Sequence, residues 1–203
     1  MLALIGESAC GKSTVQDILC KDYGFEKIVT YTTRPMRDGE VGGKDYHFIS
    51  QDDYDKKVRE NFFFENASYN GWNYGTARKD IEGNSDSKVI VLTPKGLRKF
   101  KSNRKIDIYS VYINIDRKSR LIKLLNRGDN IEEAYRRSLS DVGMFDGIEN
   151  EVDLTIDNVS YFLDANILSK HIKYMYYYSD NIKCRMRKIR AKLKNIKDLL
   201  HHI

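Results

Sequence analysis

Short, wholly apolar runs alternate with amphipathic and charged stretches along this chain. Leu2 to Ile5, "LALI", is apolar throughout and stops at Gly6, the pattern of a strand buried on both faces. From Ser13 to about Lys21, the residues Val15, Ile18 and Leu19 fall on one helical face. Phe25 to Val29 reads as a second strand. Residues 77–83 start a helix that "NSD" breaks. "KVIVL" (Lys88 to Leu92) and "IDIYSVYINI" (Ile106 to Ile115) are strong strand candidates, with a turn and a helix start at "TPKGLRKF" between them. Arg117 to about Ser140 is helical and highly charged, interrupted at "NRGDN", which predicts a helix pair hinged at Gly128. "EVDLTIDN" is the last strand, and a helix follows from about Ser160. Strands alternating with helices predict an α/β fold: a parallel sheet flanked by helices on both faces.

Two segments break this rhythm. Residues 30–76 are rich in Gly, Asp, Tyr and Arg, with short alternations such as "YHFIS" and turn signals at "RDGE", "VGGKD" and "YNGWN". They predict a small, mostly β insertion. At the other end, Ile182, Met186, Ile189, Leu193, Ile196, Leu200 and Ile203 are spaced alternately four and three apart, an a/d seam with Lys and Arg around it. That predicts a basic amphipathic helix. Packing on its own domain and pairing in a homodimer are both open; binding to nucleic acid or an anionic membrane is the less favoured reading.

Composition narrows the class. The 203 residues are 41% apolar and 32% charged, which suits one compact domain with a real core. No apolar run approaches the roughly 20 residues of a membrane helix, and "MLALIGES" lacks a basic, then apolar, leader pattern. The three cysteines are widely spaced and odd in number, so a disulfide framework is not expected and a cytoplasmic location is. The net charge of +6 is uneven: residues 170–203 hold ten Lys/Arg against two Asp/Glu, leaving 25 against 27 in the first 169 residues. The basic character belongs to the tail and does not mark the main body as a nucleic-acid binder.

The sharpest chemical signal follows the first strand. "GESACGKST" has the Gly-x-x-x-x-Gly-Lys-Ser spacing of a phosphate-binding loop, between a strand and a helix. Backbone N–H groups at a helix N-terminus point at an anion there, and the helix dipole favours negative charge. The loop residues Gly6, Ser8, Ala9, Cys10, Gly11, Lys12, Ser13 and Thr14 are expected to bind a nucleoside triphosphate, which the resemblance named below makes ATP. Lys12 would reach the β- and γ-phosphates, and the Ser13 hydroxyl would ligate Mg²⁺. Cys10 reads as a small side chain fitted beside the loop. Ala9 is expected to need only a backbone geometry that a Cβ tolerates.

A second signal lies in "TYTTRPMRDGEVGGKDYHF" (residues 30–48) and in the later Glu65 and "NYGT". Arg34 and Arg37 carry guanidinium forks that suit phosphate oxygens, and Tyr46 follows them. A carboxylate at Glu65, with the Thr76 hydroxyl, could read a base edge. Guanine offers a ring N–H beside an exocyclic amine, which a carboxylate matches; adenine has no ring N–H there.

These motifs, from Met1 to about Ile172, resemble the guanylate kinase family, most specifically in "TTRPMRDGEVGGKDYHF" and "FFFENASYNGWNYGT". The resemblance implies a P-loop core (residues 1–29, 77–116 and 141–172), an acceptor-binding insertion (30–76), a helical lid (117–140) and an added C-terminal extension (173–203). It implies Thr30, Glu65 and Thr76 around guanine, and Arg34, Arg37, Tyr46 and Tyr74 around the acceptor phosphate. It places Lys123, Arg127 and Arg137 at or beside lid positions over the donor phosphates, and Asn158 against the donor adenine. Lys12, Arg34, Arg127 and Arg137 would be the catalytic cations. The implied reaction is Mg²⁺- and ATP-dependent phosphorylation of GMP or dGMP. A kinase for another small phosphate acceptor, or a binding module without catalysis, would share the scaffold; such modules typically lose the phosphate loop, which is present here. The chain departs from the family at Val91 and Thr93, where aspartates are usual, at Lys123 and Ser138, where lid arginines are usual, and at the loop tip Ala9-Cys10.

Overall fold

The computed structural model describes residues 1–82, 86–126, 131–157 and 164–181. The chain opens with β1 (Leu2–Ile5), α1 (Lys12–Tyr23) and β2 (Glu26–Lys27). There follow β3 (Tyr31–Thr32), β4 (His47–Phe48), α2 (Gln51–Arg59), β5 (Phe63–Tyr69), β6 (Trp72–Ala77) and α3 (Arg78–Ile81). The remainder is β7 (Lys88–Val91), α4 (Pro94–Ser102), β8 (Tyr109–Asn114), α5 (Arg117–Asn126), α6 (Ile131–Ser140), β9 (Leu154–Asp157) and a helix over residues 165–181, here α7.

The strands form two sheets among the described residues. The first has the order β2-β7-β1-β8-β9 and is parallel throughout. β1 lies at its centre and is buried at every position. Alternate side chains of β1 enter different cores, as the pleat requires. Leu2 and Leu4 pack with Val15 and Leu19 of α1 and Leu168 and Ile172 of α7. Ala3 and Ile5 pack with Leu97 and Phe100 of α4 and with Ile148. Each large aliphatic side chain so buried contributes about 1.5–3 kcal/mol. Because the strands are parallel, their carboxyl ends, and the loops after β1, β7 and β8, share one edge of the sheet, where such folds bind ligands.

The second sheet has the order β4-β3-β6-β5. β5 and β6 form an antiparallel hairpin whose turn, Asn70-Gly71, has φ of 52° and 78°. Positive φ at both central residues is the two-residue hairpin geometry that Asn-Gly favours. This sheet is anchored on the first layer where Phe64 of β5 meets Phe100 of α4, with ring centroids 4.8 Å apart.

The expected α/β architecture is present, with local differences. The insertion contains α2, which the β-rich composition concealed. Its signal is Ser50, whose hydroxyl accepts the Asp53 N–H at 3.1 Å as an N-cap. The strand expected over residues 25–29 is the short edge β2, because Phe25 and Ile28 turn into the two cores. The strand expected from Ile106 begins at Tyr109. The last helix is described from residue 165.

Candidate functional site

The loop after β1 is built by close approach. A Cβ at Gly6 would lie 2.5 Å from Cys10 Sγ and 2.7 Å from the carbonyl oxygen of Ile113 in β8. Cys10 itself is buried in the core beneath the loop. Gly6→Ala is therefore expected to destabilise the protein by about 1–3 kcal/mol, seen as a Tm lower by roughly 5 °C in thermal unfolding. Gly11 caps α1 at φ 96°, a left-handed conformation that favours glycine. Ala9 has φ 60°, so its backbone is one that a Cβ disfavours by about 1 kcal/mol; the loop imposes this geometry rather than leaving Ala9 in an ordinary one. The Lys12 ammonium donates to the carbonyl oxygens of Gly6 (2.7 Å) and Glu7 (2.8 Å) and lies 3.5 Å from Cys10 Sγ. Ser13 and Thr14 occupy the exposed first turn of α1, where the helix dipole is positive.

The loop opens into a cavity of about 440 Å³. Its opposite wall is the second sheet: Thr30, Arg34, Arg37, Tyr46, Glu65 and Tyr74 all line it. Thr76 is fully buried behind this wall. Arg34 is buried and pairs with Glu40, its NH2 donating at 2.7 and 3.0 Å to the two carboxylate oxygens. Its NH1 donates to the Pro35 carbonyl at 2.7 Å, and its guanidinium lies 5.3 Å from the centroid of the Tyr46 ring. Glu40 also accepts the Arg37 backbone N–H at 2.8 Å. Burial opposes the charge on both partners, but their mutual hydrogen bond and charge prevail, holding Glu40 below and Arg34 above their ordinary pKa values. Burial, with nearby Tyr74, pushes the Tyr46 phenol up to about 12, so it stays a proton donor at neutral pH.

Glu65 is the least satisfied group in this wall. Its Oε1 accepts the Thr76 hydroxyl at 3.1 Å. Its Oε2 is buried with no hydrogen-bond partner among the described residues. A Cβ at Gly96 would come within 3.1 Å of that oxygen. Burial drives the Glu65 carboxyl up to about 7, against the lowering effects of Thr76 and Lys95.

A buried network that the sequence reading missed joins the two walls. Asp141, just beyond α6, accepts the Ser8 N–H at 2.9 Å, the Tyr69 hydroxyl at 2.5 Å and Arg120 NH1 at 3.1 Å. Arg120 also donates to Glu7 at 3.2 Å, and Glu7 accepts the Tyr112 hydroxyl at 3.1 Å. Burial and Asp141 together raise the Tyr69 phenol far above its ordinary value. Arg136 donates to the Asn70 carbonyl at 2.8 Å and lines the cavity. Tyr69 and Asn70 lie in the "YNGWN" turn signal, but the tertiary contacts of such a turn have no local signature.

The helix pair α5–α6 supplies Lys123 and Arg137 to the cavity, and Arg137 is buried there. Ser138 turns away and accepts the Arg117 Nε at 2.8 Å. Arg127, Gly128, Asn158 and the seam from Ile182 to Ile203 lie outside the described residues. Val91, the last residue of β7, and Thr93, just after it, line the cavity; the Thr93 hydroxyl caps α4 by accepting the Gly96 N–H at 3.1 Å. Among the described residues no three His, Cys, Asp or Glu side chains group as a metal site, and no helix is long and apolar enough to cross a membrane.

Comparison with known proteins agrees with this geometry. The family model described as guanylate kinase matches residues 1–166. The chain is 32% identical over 192 residues to the guanylate kinase of Blochmanniella floridana, covering 86% of this chain and 90% of that protein. It is 32% identical over 145 residues to the guanylate kinase of Schizosaccharomyces pombe, covering 68% and 71%. The crystal structure of guanylate kinase from Anaplasma phagocytophilum superposes with a TM-score of 0.68 over 88% of this chain and 85% of that one, at 24% identity, a likeness of fold. With a phosphate loop facing a wall of arginine, tyrosine and a buried glutamate across one cavity, and a family match over most of its length, the chain belongs to the guanylate kinase family.

Proposed function

We propose that the protein transfers the γ-phosphoryl group of ATP to GMP or dGMP. One observation carries the reading: a single cavity holds both a phosphate loop and the buried Glu65 carboxyl, one oxygen of which has no partner among the described residues. A buried acceptor left unmatched is costly, and guanine's adjacent N–H donors would satisfy it. Thr30 stands on the same wall for the rest of the base edge, and Thr76, buried behind it, holds Glu65 Oε1 in place. Arg34, Arg37, Tyr46 and Tyr74 hold the acceptor phosphate; Glu40 keeps the Arg34 fork oriented. In this reading the two sheets are the core (residues 1–29, 77–116 and 141–172) and the acceptor unit (30–76), and residues 117–140 are the lid.

The acceptor phosphate is itself the nucleophile, so no general base is required. The chain's contribution is positioning and charge. Lys12 would reach the β- and γ-phosphates from its place on the Gly6 and Glu7 carbonyls, and Arg34 would neutralise charge at the acceptor phosphate. Lys123 and Arg137 bring positive charge from the helix pair and exclude water. Arg127 and Asn158 keep the assignments implied by the family. The Ser13 hydroxyl is a hard oxygen donor suited to Mg²⁺, and Val91 and Thr93 add no carboxylate, so the metal would be held chiefly by the nucleotide's phosphates with Ser13. A Mg²⁺ ion held there would supply charge neutralisation to the transferring group.

The test offers the purified protein ATP and Mg²⁺ with GMP, dGMP, AMP, UMP or CMP. ADP release is expected with GMP or dGMP alone. Comparable release with AMP would overturn the role of Glu65, and GMP binding without any ADP release would make the protein a binding module.

A further inference from the structure

We infer that Asp141 is a positioning residue that couples the acceptor sheet to the phosphate loop, so that ATP and GMP each strengthen the binding of the other. The inference rests on the reading of the cavity given above. Three segments distant in sequence converge on the carboxylate of a fourth, whose side chain is 2% exposed. Tyr69 comes from the end of β5, Ser8 from the phosphate loop, Arg120 from α5, and Asp141 itself from the turn after α6. Ser8 Oγ adds contacts to Tyr69 (3.0 Å), to Asn70 Nδ2 (3.2 Å) and to Asp141 (3.5 Å).

The peptide unit between Glu7 and Ser8 makes the linkage mechanical. Its N–H donates to Asp141, and its C=O accepts from Lys12 Nζ at 2.8 Å. A trans peptide is planar, with N–H and C=O on opposite sides. A shift of the Asp141 carboxylate therefore tilts that plane and moves the carbonyl that holds Lys12. On the other side, Tyr69 lies on the same strand as Glu65, four residues on, and the strand is paired along this length with β6. A base docked on Glu65 settles β5, and Tyr69 carries that setting to Asp141. A buried carboxylate leaves little room for intermediate arrangements, since any lost partner exposes an unpaired charge in a low dielectric. Coupling of this kind is reciprocal by thermodynamic necessity.

Calorimetric titration of GMP, with and without a saturating non-hydrolysable ATP analogue and Mg²⁺, measures the coupling in the full chain. In the unmodified protein the analogue is expected to tighten GMP binding by about fivefold or more, and GMP to tighten the analogue by the same factor. In Tyr69→Phe, which removes one hydroxyl and keeps the Ser8–Asp141 bond, the ratio is expected to fall to within about twofold of one. Asp141→Asn should match it, and the double variant should lose nothing more. A purely structural role would lower Tm and leave the ratio intact. A Tyr69→Phe protein that keeps the original ratio, or an unmodified protein that binds both ligands with a ratio of one, overturns the inference while leaving the proposed activity standing. An unmodified protein that binds no GMP overturns both.

Discussion

Lys12→Ala is expected to slow ADP release with GMP by about a thousandfold, while GMP in the absence of ATP binds with nearly unchanged affinity. The reason is where this ammonium sits. It is held against the Gly6 and Glu7 carbonyls at the mouth of the loop, on the opposite side of the cavity from Arg34, Tyr46 and Glu65. In phosphoryl transfer the protein supplies little covalent chemistry, so a cation on the β- and γ-oxygens acts mainly in the transition state. Its loss should thus appear in kcat rather than in acceptor binding. Steady-state kinetics with a parallel GMP titration checks both halves. A kcat within tenfold of the unmodified protein would remove Lys12 from the transition state and leave the loop a docking surface only.

Glu65→Gln is expected to weaken GMP binding by about a hundredfold at pH 8, since an amide would present a donor to guanine's own donors. The unmodified protein should show a pH dependence that the variant lacks. Burial pushes the Glu65 carboxyl up from 4.5 to about 7, and in the proposed reading guanine would bind the ionised form. Below pH 7 each unit of acidification should weaken GMP binding by up to tenfold; above it the affinity should level off. The acceptor's own phosphate titrates in both proteins and cancels in their ratio. Stability runs the other way. A carboxyl whose folded pKa is raised binds more protons folded than unfolded, so its contribution is complete below about pH 4.5 and is lost as pH rises through 7. The loss at pH 8 is on the order of 3 kcal/mol. Glu65→Gln, neutral at every pH, should therefore be more stable than the unmodified protein at pH 8 and similar to it at pH 4.5. Urea unfolding at the two pH values tests this, and a stability difference independent of pH would contradict the raised pKa.

Under the proposed function, these two expected effects would mark Glu65 as a binding group rather than a core residue. It is expected to make the ligand-free protein less stable at neutral pH, through an oxygen that no described residue satisfies. Such a cost is common where a site is prepared for a partner.

Much of this was legible in the chain itself. β1, β7 and β8 could be found because strands buried on both faces read as continuous apolar runs. The phosphate loop was legible because its chemistry is local: one turn, one helix start, one lysine. The residues from Arg34 to Thr76 were picked out through their resemblance to a family motif; Arg34, Arg37, Tyr46, Glu65 and Tyr74 line one cavity wall, and Thr76 lies buried behind it. α2 was hidden because a nine-residue helix within a Gly- and Tyr-rich stretch has mostly exposed side chains, with Tyr54 its one buried residue. The strain at Ala9 was hidden because φ is set by the loop's closure, not by the alanine.

What the sequence determined by itself, then, was the alternation of strands and helices and the chemistry of each short motif, since both depend on residues close along the chain. Only the tertiary structure decided that Arg137 faces the cavity while Ser138 turns to Arg117. It alone showed that Glu65 keeps one oxygen without a partner among the described residues, and that Asp141 gathers Ser8, Tyr69 and Arg120. Ser8 and Asp141 are 133 residues apart, and contacts at such separations follow from how layers pack, which no local pattern encodes.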